Sequence, residues 1–275
     1  MATLNRWLGA LVGAALSPFQ SLPPLVGLTV VSLVVAIGML LVFRAVSNQP
    51  DLKAVKRRIQ AAFFEVRLFN DDVRALDGLL DVLRHNLTYL RLSLAPLLWM
   101  ALPLVLLVAH LQFYYGYDGL MPGQSTIVKV RLKDAAVPAN GAPVIGLEAP
   151  PGLMVQTPAV WIPSEREAAW RIGVDRQGDF ELRVTVGGTV VTKQVRASNR
   201  VGWRVPGRFE SGVLNQLLFP GEPPIDPDIP IESIVVTYPE RAIGVLGYSV
   251  NWLVAFFALS LLLAWLMRSR FGVVM

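Results

Sequence analysis

Residues 44–91 decide the fold, and from position 51 they read DLKAVKRRIQAAFFEVRLFNDDVRALDGLLDVLRHNLTYLR. Apolar residues recur here at steps close to three and four in turn, which is the pattern of a coiled-coil seam. The polar run Asn70-Asp71-Asp72 interrupts the pattern and supplies caps for two helix ends. The sequence therefore predicts an antiparallel helical hairpin, with a single long helix kinked at Asn70 as the alternative. The seam positions are Leu52, Val55, Ile59, Ala62, Val66 and Phe69, then Val73, Leu76, Leu80, Leu83, Leu87 and Leu90.

Three stretches without Asp, Glu, Lys or Arg accompany this hairpin: residues 25–43, 92–113 and 242–267. A helix of about 20 apolar residues crosses a hydrocarbon core of about 30 Å, and buried core helices rarely run this long without a charge. The sequence therefore predicts an integral membrane protein with three transmembrane helices.

Composition narrows the functional classes. The chain has no cysteine, which excludes disulfides, thiolate metal sites and thiol catalysis. Its two histidines are too few for a histidine-based metal cluster. A net charge of +5 is compatible with nucleic-acid binding, but the charge is unevenly distributed. Residues 44–91 carry nine Lys and Arg against six Asp and Glu, whereas residues 114–241 carry thirteen against fourteen. The basic excess beside the membrane indicates contact with anionic lipid rather than with a specific nucleic acid.

The basic residues that flank the spans also predict the topology. Positive residues next to spans favour the cytoplasmic side. Residues 44–91 and the tail, 268–275, are therefore predicted to be cytoplasmic, and the N-terminus and residues 114–241 periplasmic or otherwise extracytoplasmic. We expect a multi-pass protein of the cell inner membrane. The flanking residues are Arg44, Lys53, Lys56, Arg57, Arg58, Arg84, Arg91, Arg268 and Arg270.

Residues 1–24 precede the first span. Between positions 3 and 18 the apolar residues fall along one side of a helix, and Pro23-Pro24 then leads into the span. A signal peptide is one interpretation, because small residues at positions 14–17 offer a cleavage site. An interfacial amphipathic helix on the outer leaflet fits better, because the leading segment carries one charge and a full-length span follows.

Residues 114–241 have a different character, with short β-rich runs separated by Gly and Pro. Gly187-Gly188 is typical of a tight hairpin turn. The pattern predicts an antiparallel β-sandwich of the immunoglobulin-like kind, a short helix at 210–219 and a Pro-rich loop at 220–230. The fold class is an α+β membrane protein. The predicted strands cover residues 126–132, 144–147, 160–162, 168–174, 180–186, 190–195 and 234–238.

Motifs that carry enzyme chemistry are missing from the sequence. It has no P-loop, dinucleotide-binding glycine motif, nucleophile elbow, zincin helix or EF-hand loop. We therefore expect no catalytic residue, no cofactor and no metal, and interpret the chain as a non-enzyme.

A few polar residues near the spans are candidates for a polar groove or path. Capping, a wet helix end and helix packing are the alternative roles for these side chains. A second group, at the start of the hairpin, is a candidate for contact with a cytoplasmic partner or with lipid. The groove candidates are Arg44, Asn48, Gln49, His110 and Asn251, and the contact candidates are Lys53, Lys56, Arg57 and Arg58.

The order of span, basic cytoplasmic hairpin and two further spans resembles the YidC-type insertase superfamily. The likeness is greatest to its small three-span members in archaeal and endoplasmic-reticulum membranes. It implies a groove open to cytoplasm and lipid through which hydrophobic segments enter the bilayer, and a hairpin that receives the substrate or the ribosome. Arg44 lies at the cytoplasmic end of its span rather than within the groove, and the outer domain lies between the second and third spans. The residues that carry the resemblance are Phe43-Arg44, Ser47-Asn48-Gln49, Lys53, Lys56, Ile59, Asn86, Tyr89-Leu90 and Pro96.

These observations leave three functions open. The first is a YidC-like membrane-protein insertase or intramembrane chaperone, whose partners are nascent membrane segments and the ribosome. The second is a non-catalytic structural or assembly subunit of a larger envelope complex, which binds other membrane proteins through the outer β domain. The third is a signal transducer that passes a sensed state from the β domain to the hairpin. The sequence after the hairpin contains nothing that resembles an output domain, which counts against this function.

Overall fold

A computed structural model of the chain describes residues 2–47, 49–68, 74–138, 142–245 and 247–273. These residues divide into two units. One comprises residues 1–27 and 106–253 and holds all the described strands, and the other comprises residues 28–105 and 254–275 and is helical. The described helices are α1 (Ala2–Leu16), α2 (Pro24–Val46), α3 (Gln49–Leu68), α4 (Arg74–Tyr115), α5 (Val213–Leu218) and α6 (Trp252–Met267).

The strands confirm a β-rich segment after α4. They are β1 (Ser125–Leu132), β2 (Ile145–Glu148), β3 (Leu153–Val155), β4 (Val160–Ile162), β5 (Glu167–Val174), β6 (Gly178–Val186), β7 (Thr189–Ala197), β8 (Gly207–Phe209), β9 (Ile231–Val236), β10 (Ala242–Val245) and β11 (Tyr248–Asn251).

Two antiparallel sheets, which form the β domain (residues 117–241), share one hydrophobic core. The larger has the order β3-β5-β1-β9-β8, with β4 also paired to β5, and the smaller has the order β2-β6-β7. The alternation predicted in β6 is confirmed, because Phe180, Leu182, Val184 and Val186 are all buried in that core. The Gly187-Gly188 turn is confirmed as well. Both glycines have positive φ, +55° and +83°, as a two-residue hairpin loop requires.

The predicted third span, residues 242–267, is wrong at residues 242–245 and 248–251. These form the antiparallel strands β10 and β11, and α6 begins only at Trp252. Gly244 and Gly247, the latter with a φ of +88°, favour a turn over a helix. The sequence prediction gave more weight to the lack of charged residues in this stretch than to these two glycines. α6 has 16 residues, so it is about 24 Å long. Two described helical segments, Pro24–Val46 and Pro96–Tyr115, are long and apolar enough to cross a bilayer.

Within the helical unit, α2 packs against α6. Ala36 and Leu40 of α2 and Phe256 of α6 are buried, and the hydroxyl of Ser32 donates a 3.5 Å hydrogen bond to the carbonyl of Phe256. Large apolar side chains of α4 and α6 are exposed, including Trp99 of α4 at 75% and Leu261 of α6 at 68%. Such surfaces suit lipid better than water.

The hairpin prediction is confirmed only in its helices. α3 and α4 have the predicted positions, and the second arm continues into α4 through Pro96 and Pro103 without a break. The predicted turn at Asn70 lies outside the described residues. Of the second-arm seam, the described side chains of Leu83, Leu87 and Leu90 are 54–67% exposed, so the prediction of a buried seam is wrong at these three positions. Periodicity identifies an apolar face of a helix, but it does not say what covers that face.

Candidate functional site

Aromatic rings join the C-terminal end of α4 to the β domain. The ring of Trp203 lies 5.1 Å from that of Phe113, 5.2 Å from that of Tyr114 and 6.0 Å from that of His110, between centroids. The backbone N–H of Arg204 donates to the carbonyl of Phe113 at 2.9 Å. The loop before β8 is thereby fixed to the last turn of α4. We call the following set the α4 joint: His110, Phe113, Tyr114, Asp118, Trp203, Arg204 and Arg241.

Arg204 is the most buried charge of the α4 joint, at 1% exposed. Its guanidinium donates to the carbonyls of Ser198 and Arg200 at 2.5 Å each, and to those of Tyr117 and Gly202 at 3.4 Å. Burial lowers the pKa of Arg204 to about 10, which leaves the group charged at neutral pH. One cation therefore gathers carbonyls from the chain that leaves α4 and from the loop before β8, which holds the two together.

Arg241 ties the chain that enters the β domain to the chain that leaves it. Its Nε donates to Oδ1 of Asp118 at 2.7 Å, and its backbone N–H donates to the carbonyl of Gly116 at 3.1 Å. The Arg241 side chain is 4% exposed and that of Asp118 is 52% exposed, so the guanidinium is buried while the carboxylate remains open to water. The Asp118 N–H donates in turn to the carbonyl of Pro239 at 2.8 Å. Hydrogen bonds of Arg241 and Asp118 therefore hold together the two segments of chain at which the β domain begins and ends.

A cleft of about 300 Å³ opens along the edge of β7. Its walls combine three aromatic rings, two guanidinium groups and three carboxylates, so it can offer both stacking and charge-assisted hydrogen bonds. We call it the β7 cleft. It is lined by Asp179, Phe180, Glu181, Gln194, Val195, Arg196, Trp203, Arg204, Val205, Glu222 and Tyr238.

Side chains bond to the outer edge of β7, which ends the smaller sheet. The N–H of Gln194 donates to Oε2 of Glu222 at 3.2 Å, and the N–H of Arg196 donates to Oη of Tyr238 at 3.0 Å. An unpaired strand edge is a template for another strand. Because these groups are already bonded, a ligand in the β7 cleft meets side chains rather than a free β edge.

The inner wall of the cleft holds a buried ion pair. Lys193 is fully buried, and its ammonium donates to the carboxylate of Glu222 and to the carbonyls of Val205, at 2.8 Å, and Gln194, at 3.0 Å. Burial lowers the pKa of Lys193, and the Glu222 carboxylate opposes that shift. Glu222 comes from the Pro-rich loop, 220–230, so this pair fixes the loop to β7.

A second ion pair lies at the mouth of the cleft, where solvent reaches it. The guanidinium of Arg196 binds the carboxylate of Asp179 at 2.6 and 2.8 Å. The hydrogen bond from Arg196 lowers the pKa of Asp179. The side chains are 40% and 68% exposed, so the pair contributes little to stability and remains accessible to a ligand.

The structure disperses the groove candidates rather than bringing them together. His110 is buried in the α4 joint, where its Nδ1 lies 2.8 Å from the Leu106 carbonyl. Asn251 lies outside α6 and is exposed; its Oδ1 accepts the N–H of Leu253 at 2.9 Å, so it caps that helix. Arg44 is exposed in the last turn of α2. Asn48 lies outside the described residues, as does the side chain of Gln49.

The four basic contact candidates all lie exposed on α3: Lys53, Lys56, Arg57 and Arg58. Positions 53, 56 and 57 share one side of the helix, because residues three and four apart are neighbours on its surface. This arrangement is compatible with the predicted contact with anionic lipid or a cytoplasmic partner.

Sequence reasoning missed the α4 joint and the buried ion pair. One signal was available, since Lys193 occupies an inward position of β7 between Val191 and Val195, which are both buried. A charge at such a position calls for a buried partner. No comparable signal marked Trp203, because its ring partners on α4 lie far away in the sequence. None marked Arg204 either, because the loop carbonyls that surround it leave no sequence pattern.

No family model, curated protein or solved structure matches the chain. Among the described residues, no group of three or more His, Asp and Glu side chains could hold a metal ion.

Proposed function

We propose that the protein is a non-catalytic assembly subunit of a larger membrane complex, with its β domain outside the cytoplasm. In this proposal α2, α4 and α6 cross the inner membrane, and the β domain is an immunoglobulin-like sandwich. The observation that carries the proposal is the α4 joint. Buried Arg204 and Arg241 bind the β domain to the end of a helix long enough to span the bilayer.

A fixed joint has a mechanical consequence. Domains connected by few contacts move relative to one another, whereas buried charge-assisted hydrogen bonds favour a single arrangement. A subunit that presents a binding surface to a neighbour in the same membrane benefits from that restriction. Less orientational freedom is then lost on binding.

The β7 cleft is the proposed contact surface. Its aromatic rings and paired charges suit a polar segment of a partner protein that carries a basic group. Glu181 supports this assignment, because it is an exposed carboxylate on the cleft wall. The half-buried ring of Trp203 in the cleft lining can supply stacking beside it.

A second candidate function is the YidC-like insertase. Its support is the exposed basic face of α3, which follows α2 directly, and the exposed leucines of α4. A substrate helix could lie against such an apolar face while its charged end meets the basic residues. In this function the partners are nascent membrane segments and the ribosome.

A matched pair of charge reversals tests the first proposal. Glu181→Lys changes the cleft wall, and Glu148→Lys makes the same change at an exposed position of β2 in the same sheet, outside the cleft lining. In a mild-detergent affinity purification, E181K should lose partner subunits that wild type and E148K retain. Equal recovery with all three proteins would contradict the assignment of the cleft.

A further inference from the structure

We infer that α1 and α5 together form a lipid-binding foot, which rests the β domain on the outer leaflet of the bilayer. The inference assumes the membrane placement of α2 and α4, and goes beyond the partner-binding role proposed above. The lipid foot consists of the exposed apolar residues Trp7, Ala10, Leu11, Ala14 and Ala15 of α1, with Val213, Leu214 and Leu218 of α5.

Close packing fixes the position of α1 relative to the end of α4. A Cβ on Gly13 would lie 2.8 Å from Oη of Tyr114, and one on Gly9 would lie 3.9 Å from the Trp203 ring. Val12 and Leu16 are buried on the same side. Glycines four residues apart allow a helix to approach a neighbour this closely. α1 is therefore held beside the last turn of α4.

The depth of that turn follows from its chemistry. Tyr114 and Tyr115 end the apolar segment Pro96–Tyr115, and tyrosines are enriched where a span meets the headgroups. A Cβ on Gly27, at the start of α2, would lie 2.6 Å from Oη of Tyr115. The beginning of α2 and the end of α4 thus meet at one level, and α1 lies at that level.

The opposite side of α1 has the composition of a lipid-facing surface. Trp7 is 73% exposed and Leu11 is 67% exposed, and the exposed positions from 7 to 15 include no polar side chain. A soluble domain rarely leaves a helix face of this kind in water. A tryptophan beside leucine and alanine suits the boundary between headgroups and acyl chains.

α5 extends this surface onto the β domain. The helix is in contact with α1, its sequence VLNQLL has no charge, and Val213 and Leu214 are 70% and 67% exposed. The occupant that fits both helices is the bilayer itself, since the surface is apolar and continuous with the end of a span. A second copy of the chain and a partner helix are the competing occupants.

The absence of cysteine in the chain allows a direct test. Leu11→Cys and Leu214→Cys are each labelled with an environment-sensitive nitrobenzoxadiazole dye and placed in phosphatidylcholine nanodiscs at one protein per disc. Val144→Cys, which replaces a side chain 90% exposed on the β domain, is the matched control. Thermal unfolding of each labelled protein checks that it is folded.

The lipid foot predicts blue-shifted emission at positions 11 and 214. It also predicts several-fold stronger quenching by shallow doxyl-labelled lipid than by a water-soluble nitroxide, and the reverse order at position 144. Emission at 11 and 214 like that at 144 would overturn the inference. The inference would also be overturned if the blue shift at these positions appeared only with two copies per disc or with a partner subunit, and if doxyl-labelled lipid did not quench it. Loss of partner subunits in the E181K experiment would not change these spectra, so the two proposals fail separately.

Discussion

Replacing Gly119 with alanine should loosen the α4 joint. A Cβ at this position would overlap the carbonyl oxygen of Ser198 and lie 2.8 Å from Nη2 of Arg204. The obstructing atoms belong to backbone, which yields less readily than a flexible side chain. The Ser198 carbonyl must therefore move away, and its 2.5 Å hydrogen bond from Arg204 lengthens or breaks.

The expected cost follows from these two effects. Overpacking costs about 1–3 kcal/mol, and a hydrogen bond to a charged group contributes about 1.5–3 kcal/mol, so G119A should lose roughly 2.5–6 kcal/mol. For a domain of about 150–250 residues each 1 kcal/mol lowers Tm by about 2–4 °C, so a fall of at least about 5 °C is expected. Thermal unfolding of the full chain in mild detergent measures it.

Gly244→Ala is the matched control, because a Cβ there meets nothing within 4 Å and the φ of Gly244 is not positive. Its Tm should stay at the wild-type value. Adding Arg204→Met to G119A tests the route, since two changes that break one hydrogen bond should cost less together than their sum. A G119A protein that unfolds at the wild-type temperature would refute the reasoning.

Three further predictions concern the cleft and the topology. Lys193→Met leaves the Glu222 carboxylate buried without its cation, so it should lower the free energy of unfolding in denaturant by about 3–5 kcal/mol. The double variant with Lys193→Met and Glu222→Met should recover most of that loss. An unchanged denaturation midpoint for K193M would contradict the buried pair. Burial raises the pKa of Tyr238 to about 12, so its neutral form adds about 2–3 kcal/mol below pH 10 that is lost as pH rises through 12. Tyr238→Phe should therefore lower the amplitude of the ultraviolet tyrosinate titration near pH 12. A loss of amplitude near pH 10 instead would contradict the raised pKa of Tyr238. In intact cells an impermeant maleimide should label Val144→Cys but reach Gln60→Cys only after permeabilisation, and the opposite pattern would invert the proposed topology.

Sequence patterns within a few residues predicted the strands and turns whose structure is set by neighbouring residues. Strand alternation found β6 and its glycine turn, because a half-buried strand repeats every two residues. The three-residue strands β3 and β8 were missed, whereas the equally short β4 was predicted. Three residues carry no measurable period, and only β4, with the sequence VWI, consists wholly of β-branched and aromatic residues. β10 and β11 were taken for the start of a span, because an uncharged stretch satisfies both interpretations and only Gly244 and Gly247 argued for a hairpin.

The candidate site was less predictable because long-range contacts create it. His110 is a predicted groove candidate, yet its environment depends on Trp203, 93 positions later in the chain. Asn251 was assigned to a span because the start of α6 was misplaced. Arg204 was not considered, since a basic residue in a Gly-rich loop usually faces water and nothing local says that carbonyls will surround it.

Affinity purification of the native protein in mild detergent, followed by mass spectrometry with subunit quantification, tests the central claim most directly. The account predicts a small set of membrane or envelope subunits at constant ratios, lost on E181K and kept on E148K. Recovery of ribosomal proteins and diverse nascent membrane proteins without a constant partner would contradict it and favour the insertase.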